Sequence, residues 1–489
     1  MKQLPRRLIF ILFVCSFFST ASFITFYTLG YRYNTERGIF IYTGSITVQS
    51  NPAIVNISVD NEPSKANINQ LNGSYHLAGL QPGEHFIEVS ADGYTTWSKK
   101  FIVNSGISTE FWNVMLTKTA YAETTYPTEP INKVFPSPTS TLLAYVSTTD
   151  GGFSVNTFDT EANETVSIFD TQDYAFDRDD KENIEWSIDS DYVSIPVTKN
   201  DQKNYFIVNN DTKEVINLHD IAQIEDIHGV RWDSSRNKFV LALSGKTLYE
   251  VNIDSPEDKK VLAENVQSYD ISGNDIYIFE PAPSHIVYKT SINNLETRIP
   301  VTTLPEFYAD DDRYSIIAYD QNRLILINYF TGKLFGYNKN DASIRTFSVD
   351  ADAKGAQFSD DGKKVLYWTD REMFVYFNRD WETQPVRLAD TSITLGRFSQ
   401  GINNIHWAKD YEHATFSVGN SVKLIELDNR GEKSIMDVIT LPYPPLQILS
   451  NFDQNMLFYT LTEGSLQNQG LRSINFPEEV AGLFTPNRQ

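Results

Sequence analysis

The sequence predicts an all-β protein behind one N-terminal apolar helix: a transmembrane segment, a small β-sandwich and then a β-propeller. Three observations predict it. Residues 8–31 form 24 consecutive positions without a charge. Residues 38–117 alternate apolar and polar side chains with a period near two, broken at Gly79, Pro82-Gly83 and Asp92-Gly93. Residues 132–476 repeat one aromatic–turn–strand unit at steps of about 45 residues.

Composition sets the outer limits. The chain has 489 residues, so it holds more than one domain or one large repeat domain. A hydrophobic share of 41% with 13% aromatics is enough for packed cores and excludes wholesale disorder. The formal net charge of −22 argues against a nucleic-acid partner, because phosphate contacts need clustered Lys and Arg. The one cysteine, Cys15, lies in the apolar run. The remainder therefore has no disulfide, no cysteine-based zinc site and no cysteine nucleophile.

Residues 8–31 make about 36 Å of helix, long enough to cross a bilayer with some tilt. Lys2, Arg6 and Arg7 precede the run. A basic flank stays in the cytoplasm, so residues 1–7 are expected inside and the bulk of the chain outside, with no room for a cytoplasmic domain. A cleaved signal peptide is the competing reading, with Ser19-Thr20-Ala21 as a small-x-small site. Phe23, Ile24, Phe26, Tyr27 and Leu29 continue the apolar run past that site and favour an uncleaved anchor.

In residues 38–117, Ile46-Thr47-Val48, residues 54–59, residues 85–89, Phe101-Ile102-Val103 and residues 111–116 read as short strands of an antiparallel sandwich. Three stretches carry a resemblance. They are Ser50-Asn51-Pro52-Ala53-Ile54-Val55-Asn56-Ile57-Ser58-Val59-Asp60, Leu80-Gln81-Pro82-Gly83-Glu84-His85-Phe86-Ile87-Glu88-Val89, and Asp92-Gly93-Tyr94. In these the segment resembles the PEGA domain family over about seventy residues, with Asn61 where that family usually has Gly. Asn tolerates positive φ, so the turn survives the change. The resemblance implies an exported, surface-associated accessory module without catalytic residues. His76 and His85 have no third ligand near them in sequence, so no metal is assigned. Residues 118–131, with Pro127 and Pro130, read as a semi-rigid linker.

The clearest repeat copy is Phe358-Ser359-Asp360-Asp361-Gly362 leading into Val365-Leu366-Tyr367-Trp368. Others begin at Phe135, Trp186, Trp232 and Trp407, and weaker ones near Tyr269, Tyr308 and Leu449. Eight copies at this spacing match a ring of four-stranded blades, with seven blades as the runner-up because the copies at Tyr269 and Leu449 are poor. The copies resemble the WD40-like repeats of TolB-type propellers, whose turn runs aromatic-Ser-Pro-Asp-Gly. Asp360 stands where Pro is usual. Trp186, Trp232, Phe358 and Trp407 recur at one position and are expected as anchors between blades rather than as carbohydrate-stacking residues. Residues 477–489 are read as a tail.

No catalytic signature stands out. There is no Gly-x-Ser-x-Gly elbow, no His-Glu-x-x-His, no Walker A and no Rossmann fingerprint. His406 and His413 suggest a structural pair and no zinc site. The acidic runs Asp177-Arg178-Asp179-Asp180 and Asp310-Asp311-Asp312 lack the spacing of a calcium loop and read as solvated loops. No catalytic, metal or cofactor-binding residue and no cofactor is therefore assigned. The expected function is that of a membrane-tethered, extracytoplasmic binding or scaffold protein, with an envelope protein or cell-wall polymer as its partner. The alternative is an enzyme that cleaves an extracellular glycan or peptide with carboxylates at the propeller axis. Converging charged groups there would favour the enzyme.

Overall fold

The computed structural model of the chain describes residues 3–477 except 36–37, 65, 70–71, 140, 150, 178–183, 293, 303–312, 341–342, 350–351 and 462–469. The chain opens with helix α1 (Gln3–Thr28), of which Arg7–Thr28 is long and apolar enough to cross a membrane and is not buried against the rest of the protein. It ends three residues before the uncharged run does. Gly30 sits at φ +92°, outside helical space, and a Cβ there would come within 3.0 Å of the Tyr42 ring. Tyr31, expected in the helix, instead starts a hairpin of β1 (Tyr31–Asn34) and β2 (Ile39–Tyr42).

Two four-stranded sheets make the sandwich. One runs β10 (Ser108–Met115), β3 (Gly44–Asn51), β7 (Tyr75–Leu80) and β6 (Asn67–Ile68). The other runs β5 (Glu62–Pro63), β4 (Asn56–Val59), β8 (Gly83–Ser90) and β9 (Trp97–Val103). The alternation read in the sequence sends Ile46 and Val48, Ile57 and Val59, and Ile87 and Val89 into one core. The sandwich is not purely antiparallel. Strand β10 pairs parallel to β3, with Ser108 opposite Ser45 and Phe111 opposite Val48. Between β7 and β10 the chain runs through β8 and β9 of the other sheet, so β10 arrives beside β3 in the same direction.

Eight blades follow. They occupy residues 133–171, 175–217, 227–263, 268–300, 315–349, 355–397, 402–440 and 445–475, each an antiparallel sheet. The poor copies at Tyr269 and Leu449 each build a blade, which settles the count at eight. The last blade supplies only three strands of its own. Its fourth is β11 (Glu123–Thr125), which pairs with Arg472–Asn475. Part of the segment read as a linker is thus the strand that closes the ring. Glu123 accepts from Arg472 Nη1 at 2.8 Å and from the Tyr459 hydroxyl. Gln447 in the last blade also pairs with the Val134 backbone of the first, at 2.8 and 2.7 Å. Strand β11 thus covers the outer edge of Arg472–Asn475 and closes the seam between the last and first blades.

The repeat has a mechanical basis. Trp186 Nε1 donates to the Phe135 carbonyl, Trp232 Nε1 to that of Glu185 and Trp407 Nε1 to that of Gln357, each at 3.2 Å. In every case the acceptor lies on the first strand of the preceding blade. These tryptophans are buried, so each acts as an anchor between blades and none is open to stack on a sugar. Phe358 is half-buried and lies against Tyr319, with ring centroids 5.6 Å apart. The turn after the anchor is held by its own side chains. Ser187 bonds Asp189 and Ser359 bonds Asp361, at 2.6 and 2.7 Å, and each serine also accepts from the backbone five residues on.

Candidate functional site

Among the described residues, two gatherings of acidic and basic side chains join separate blades or domains, while a further one, Arg236 with Asp233 and Glu250, lies within blade three. The first is the junction of the sandwich with blades six and seven. In β9 the inward positions are Trp97, Lys99, Phe101 and Val103, so the pleat drives a lysine into an apolar layer. The Lys99 side chain has no exposure. Its ammonium lies 2.5 Å from Glu426 Oε1 and 3.5 Å from Asp428 Oδ1, and donates to the Asp428 carbonyl at 2.8 Å. Glu426 also accepts from Trp97 Nε1 at 3.1 Å and from Ser434 N at 2.8 Å. Asp428 is held by Arg430, Nη2 to Oδ2 at 2.6 Å. Burial works against its charge, but Arg430 and Lys99 hold its carboxyl below the usual range.

Arg430 reaches back to the sandwich. Its Nη2 donates to the Glu110 carbonyl at 2.7 Å and its guanidinium lies 4.4 Å over the Phe111 ring. Gln384 completes the contact. Its amide donates to the Ser108 carbonyl and accepts from Glu110 N, both at 3.0 Å, as a neighbouring strand would on the open edge of β10. Gly431 lets the two backbones come close together. It sits at φ +64°, and a Cβ there would lie 2.1 Å from the Lys100 carbonyl oxygen.

A second layer backs the junction. Lys364, also without side-chain exposure, lies 2.6 Å from Glu412 Oε1, donates to the Tyr411 carbonyl and sits 3.9 Å over the Trp381 ring. His413 Nδ1 is 2.7 Å from Asp410 Oδ2. Burial disfavours a charged His413 ring, but Asp410 outweighs it and raises the histidine. Asp410 is lowered for the same reason, with backbone N–H donors adding to the effect. Burial raises Glu412 despite Lys364. Lys99, Arg430, Lys364 and His413 thus face Glu426, Asp428, Glu412 and Asp410, four bases against four acids. A cavity of about 30 Å³ lies between Trp97, Phe111, Glu412, His413 and Arg430. That is room for about one water and no metabolite. The cluster is a structural bond between domains.

The second place is the ring of first strands. Arg231 Nε lies 2.5 Å from Glu185 Oε1 and its Nη1 lies 2.7 Å from Asp270 Oδ1. Asp270 Oδ2 accepts from Ala318 N at 2.8 Å. One run of polar bonds therefore crosses blades two to five. The Arg231 side chain keeps 39% exposure, so it borders open solvent within the ring. Glu185, then burial opposing it, then Asp270 act on its charge, and the net effect raises it. Both carboxylates are occupied by Arg231. These bonds stitch successive blades together.

The histidines read as candidates take separate partners. His85 bonds Asp60 and the Gln81 carbonyl, each at 2.7 Å, and His76 Nδ1 is 3.2 Å from Thr47 Oγ1. His406 does not pair with His413. It hydrogen-bonds the Ile448 backbone, and burial lowers it. Asp177 pairs with Lys203 at 3.0 Å. The rest of its acidic run and all of Asp310-Asp311-Asp312 lie outside the described residues. Among the described residues no three His, Cys, Asp or Glu side chains are grouped to hold a metal ion. The junction itself was missed in the sequence. Its one signal was Lys99 at an inward position between Trp97 and Phe101.

No protein-family model matches the sequence, and no curated protein matches it. Solved structures match at the level of the propeller. The Dos1 propeller is similar over 73% of this chain and 95% of its own, with 11% identity and a TM-score of 0.49. The Myceliophteria thermophila Cps50 (Swd1) β-propeller domain is similar over 72% and 99%, with 10% identity and a TM-score of 0.43. Kluyveromyces lactis Hsv2p is similar over 63% and 97%, with 10% identity and a TM-score of 0.42. Identities this low carry nothing about partners or chemistry.

Two predictions follow from the junction. Lys99→Met should lower unfolding stability by about 3–5 kcal/mol, because it strands a buried Glu426. Adding Glu426→Gln should restore most of that loss, whereas additive losses in urea titrations would show that the pair is not coupled. His413 gives a pH dependence. Its folded value is raised, so its stabilisation is full below about pH 6.5 and is lost as pH rises through the folded value. The melting temperature should fall over that interval in the wild type, and the fall should shrink in Asp410→Asn.

Proposed function

We propose that the chain is a membrane-tethered, extracytoplasmic binding or scaffold protein of the cell envelope. Its propeller rim presents rigidly held loops to an envelope protein or cell-wall polymer. One observation carries the reading. An unburied apolar helix leads through a pinned hairpin into a sandwich that is itself bonded to two blades through buried charge. Such a path fixes a broad ring at a set height above a membrane, which suits recognition by loops on a rigid frame. The sandwich is assigned to the PEGA type on the residues given above. The charge of −22 disfavours polyanionic partners such as teichoic or nucleic acids. The alternative is an enzyme that cleaves an extracellular glycan or peptide; of the carboxylates on the ring of first strands, Glu185 and Asp270 are engaged by Arg231.

Topology is tested with Cys15→Ser/Ala162→Cys, which places a single thiol on an exposed turn of blade one. A membrane-impermeant maleimide should label it in intact bacterial cells. Labelling only after permeabilisation would put the propeller in the cytoplasm and end the proposal. Purified protein incubated with envelope glycans and membrane proteins should capture one class without turnover, and new reducing ends would instead establish an enzyme.

A further inference from the structure

We infer that the β1–β2 hairpin is a second, shallow membrane contact, with its aromatic face seated among the headgroups and upper acyl chains where α1 ends. The inference rests on α1 crossing a bilayer.

The pairing register sorts the hairpin into two faces. Tyr31 lies opposite Tyr42 and Tyr33 opposite Phe40, so four aromatic side chains share one face. Arg32, Asn34, Ile39 and Ile41 share the other. The polar side chains of that second face are used by the protein, while Ile39 beside them is 52% exposed. Asn34 is buried and donates to Gln81 Oε1 at 2.9 Å. Arg32 lies against Gly79, where a Cβ would be 3.4 Å from its Nε. It also donates to the Tyr27 carbonyl at 2.7 Å and covers the Tyr27 ring at 3.6 Å, which caps the end of α1 with a cation. Thr43 bonds the Gly30 carbonyl through both its N–H and its hydroxyl, at 3.0 and 2.6 Å. Tyr42 packs so close to Gly106 that a Cβ there would lie 2.3 Å from its ring. The hairpin is thus fixed to the sandwich.

The aromatic face is left in the open, with Tyr33 at 54%, Phe40 at 50% and Tyr42 at 42% exposure. It is also continuous with the helix. The Phe40 ring lies 6.5 Å from Phe23 and 6.3 Å from Phe26, and Tyr31 lies 5.5 Å from Phe26. Phe23 is five residues before the helix end, about 7.5 Å along the axis. A side chain that touches Phe23 and Phe26 is held at their depth. The interfacial layer on each side of the hydrocarbon core is about 5–8 Å thick, so Phe40 reaches its inner boundary while Tyr33 and Tyr42 stay with the headgroups. Tyr, like Trp, prefers this layer, because its ring is apolar and its hydroxyl stays wet. A protein partner would have to enter the bilayer to cover the same face. The occupant is therefore lipid, and the contact sets the tilt and height of the sandwich.

The test uses the full chain in phosphatidylcholine–phosphatidylglycerol vesicles. Nitroxide labels are placed at Phe40→Cys, and separately at Tyr33→Cys, in the Cys15→Ser background. The native Cys15 and Ala162→Cys serve as deep and aqueous references. Collision rates with oxygen, which favours lipid, and with a water-soluble nickel complex are compared. The oxygen-to-nickel ratio at position 40 should exceed that at 162 by about tenfold, because the apolar layer excludes the polar complex, and position 33 should lie between the two. A ratio at both hairpin positions equal to that at 162, with Cys15 still lipid-like, would overturn the inference and leave the anchor intact. Low collision with both reagents at both positions would overturn it in favour of a protein contact. A water-like Cys15 would overturn the anchor and this inference together.

Discussion

The ammonium of Lys99 lies out of water between Glu426 and Asp428, and the architecture above the helix depends on that contact. Removing a cation from water costs several kcal/mol, which only close anions and further hydrogen bonds offset. Both are present here, and they come from opposite sides of a domain boundary. Lys99 and Trp97 belong to the sandwich, while Glu426, Asp428 and Ser434 belong to blade seven. Sliding the domains apart would strand the lysine and two acids at once. Apolar packing across the same boundary would tolerate such sliding. The buried charge gives one permitted register, and Arg430 and Gln384 extend it to the edge of β10.

The ring supplies the frame for this junction. A single blade cannot cover its own faces, and stacking buries them. The interblade tryptophan bonds and the Glu185–Arg231–Asp270 run stitch successive first strands. The seam depends on three residues from before the first blade, Glu123–Thr125. Since those residues follow directly from the sandwich, ring closure and domain docking constrain each other.

Much of this was legible in the sequence and some was not. The helix, the period-two sandwich and the 45-residue repeat each rest on local patterns, and local patterns survive without tertiary information. The anchors Trp186, Trp232 and Trp407 were legible because one position recurred with the same residue type. The hairpin was missed because Tyr31 reads equally as the end of an apolar run. The parallel pairing of β10 and the role of β11 were missed because pairing partners lie far apart in sequence, 108 with 45 and 124 with 473. Of the junction, the sequence shows half a signal. An inward Lys99 requires buried acids, but nothing local says that they are 327 and 329 residues away, at Glu426 and Asp428.

With buried charge across their boundary, sandwich and propeller form one rigid body on the end of the helix. The direct measurement is the distance between nitroxides at Ile54→Cys, exposed on the sandwich, and Ala162→Cys, exposed on blade one, in the Cys15→Ser background. Pulsed electron–electron resonance should return one narrow distribution. A broad or multi-peaked distribution in the otherwise native chain would show instead that the two domains move independently despite the buried charges.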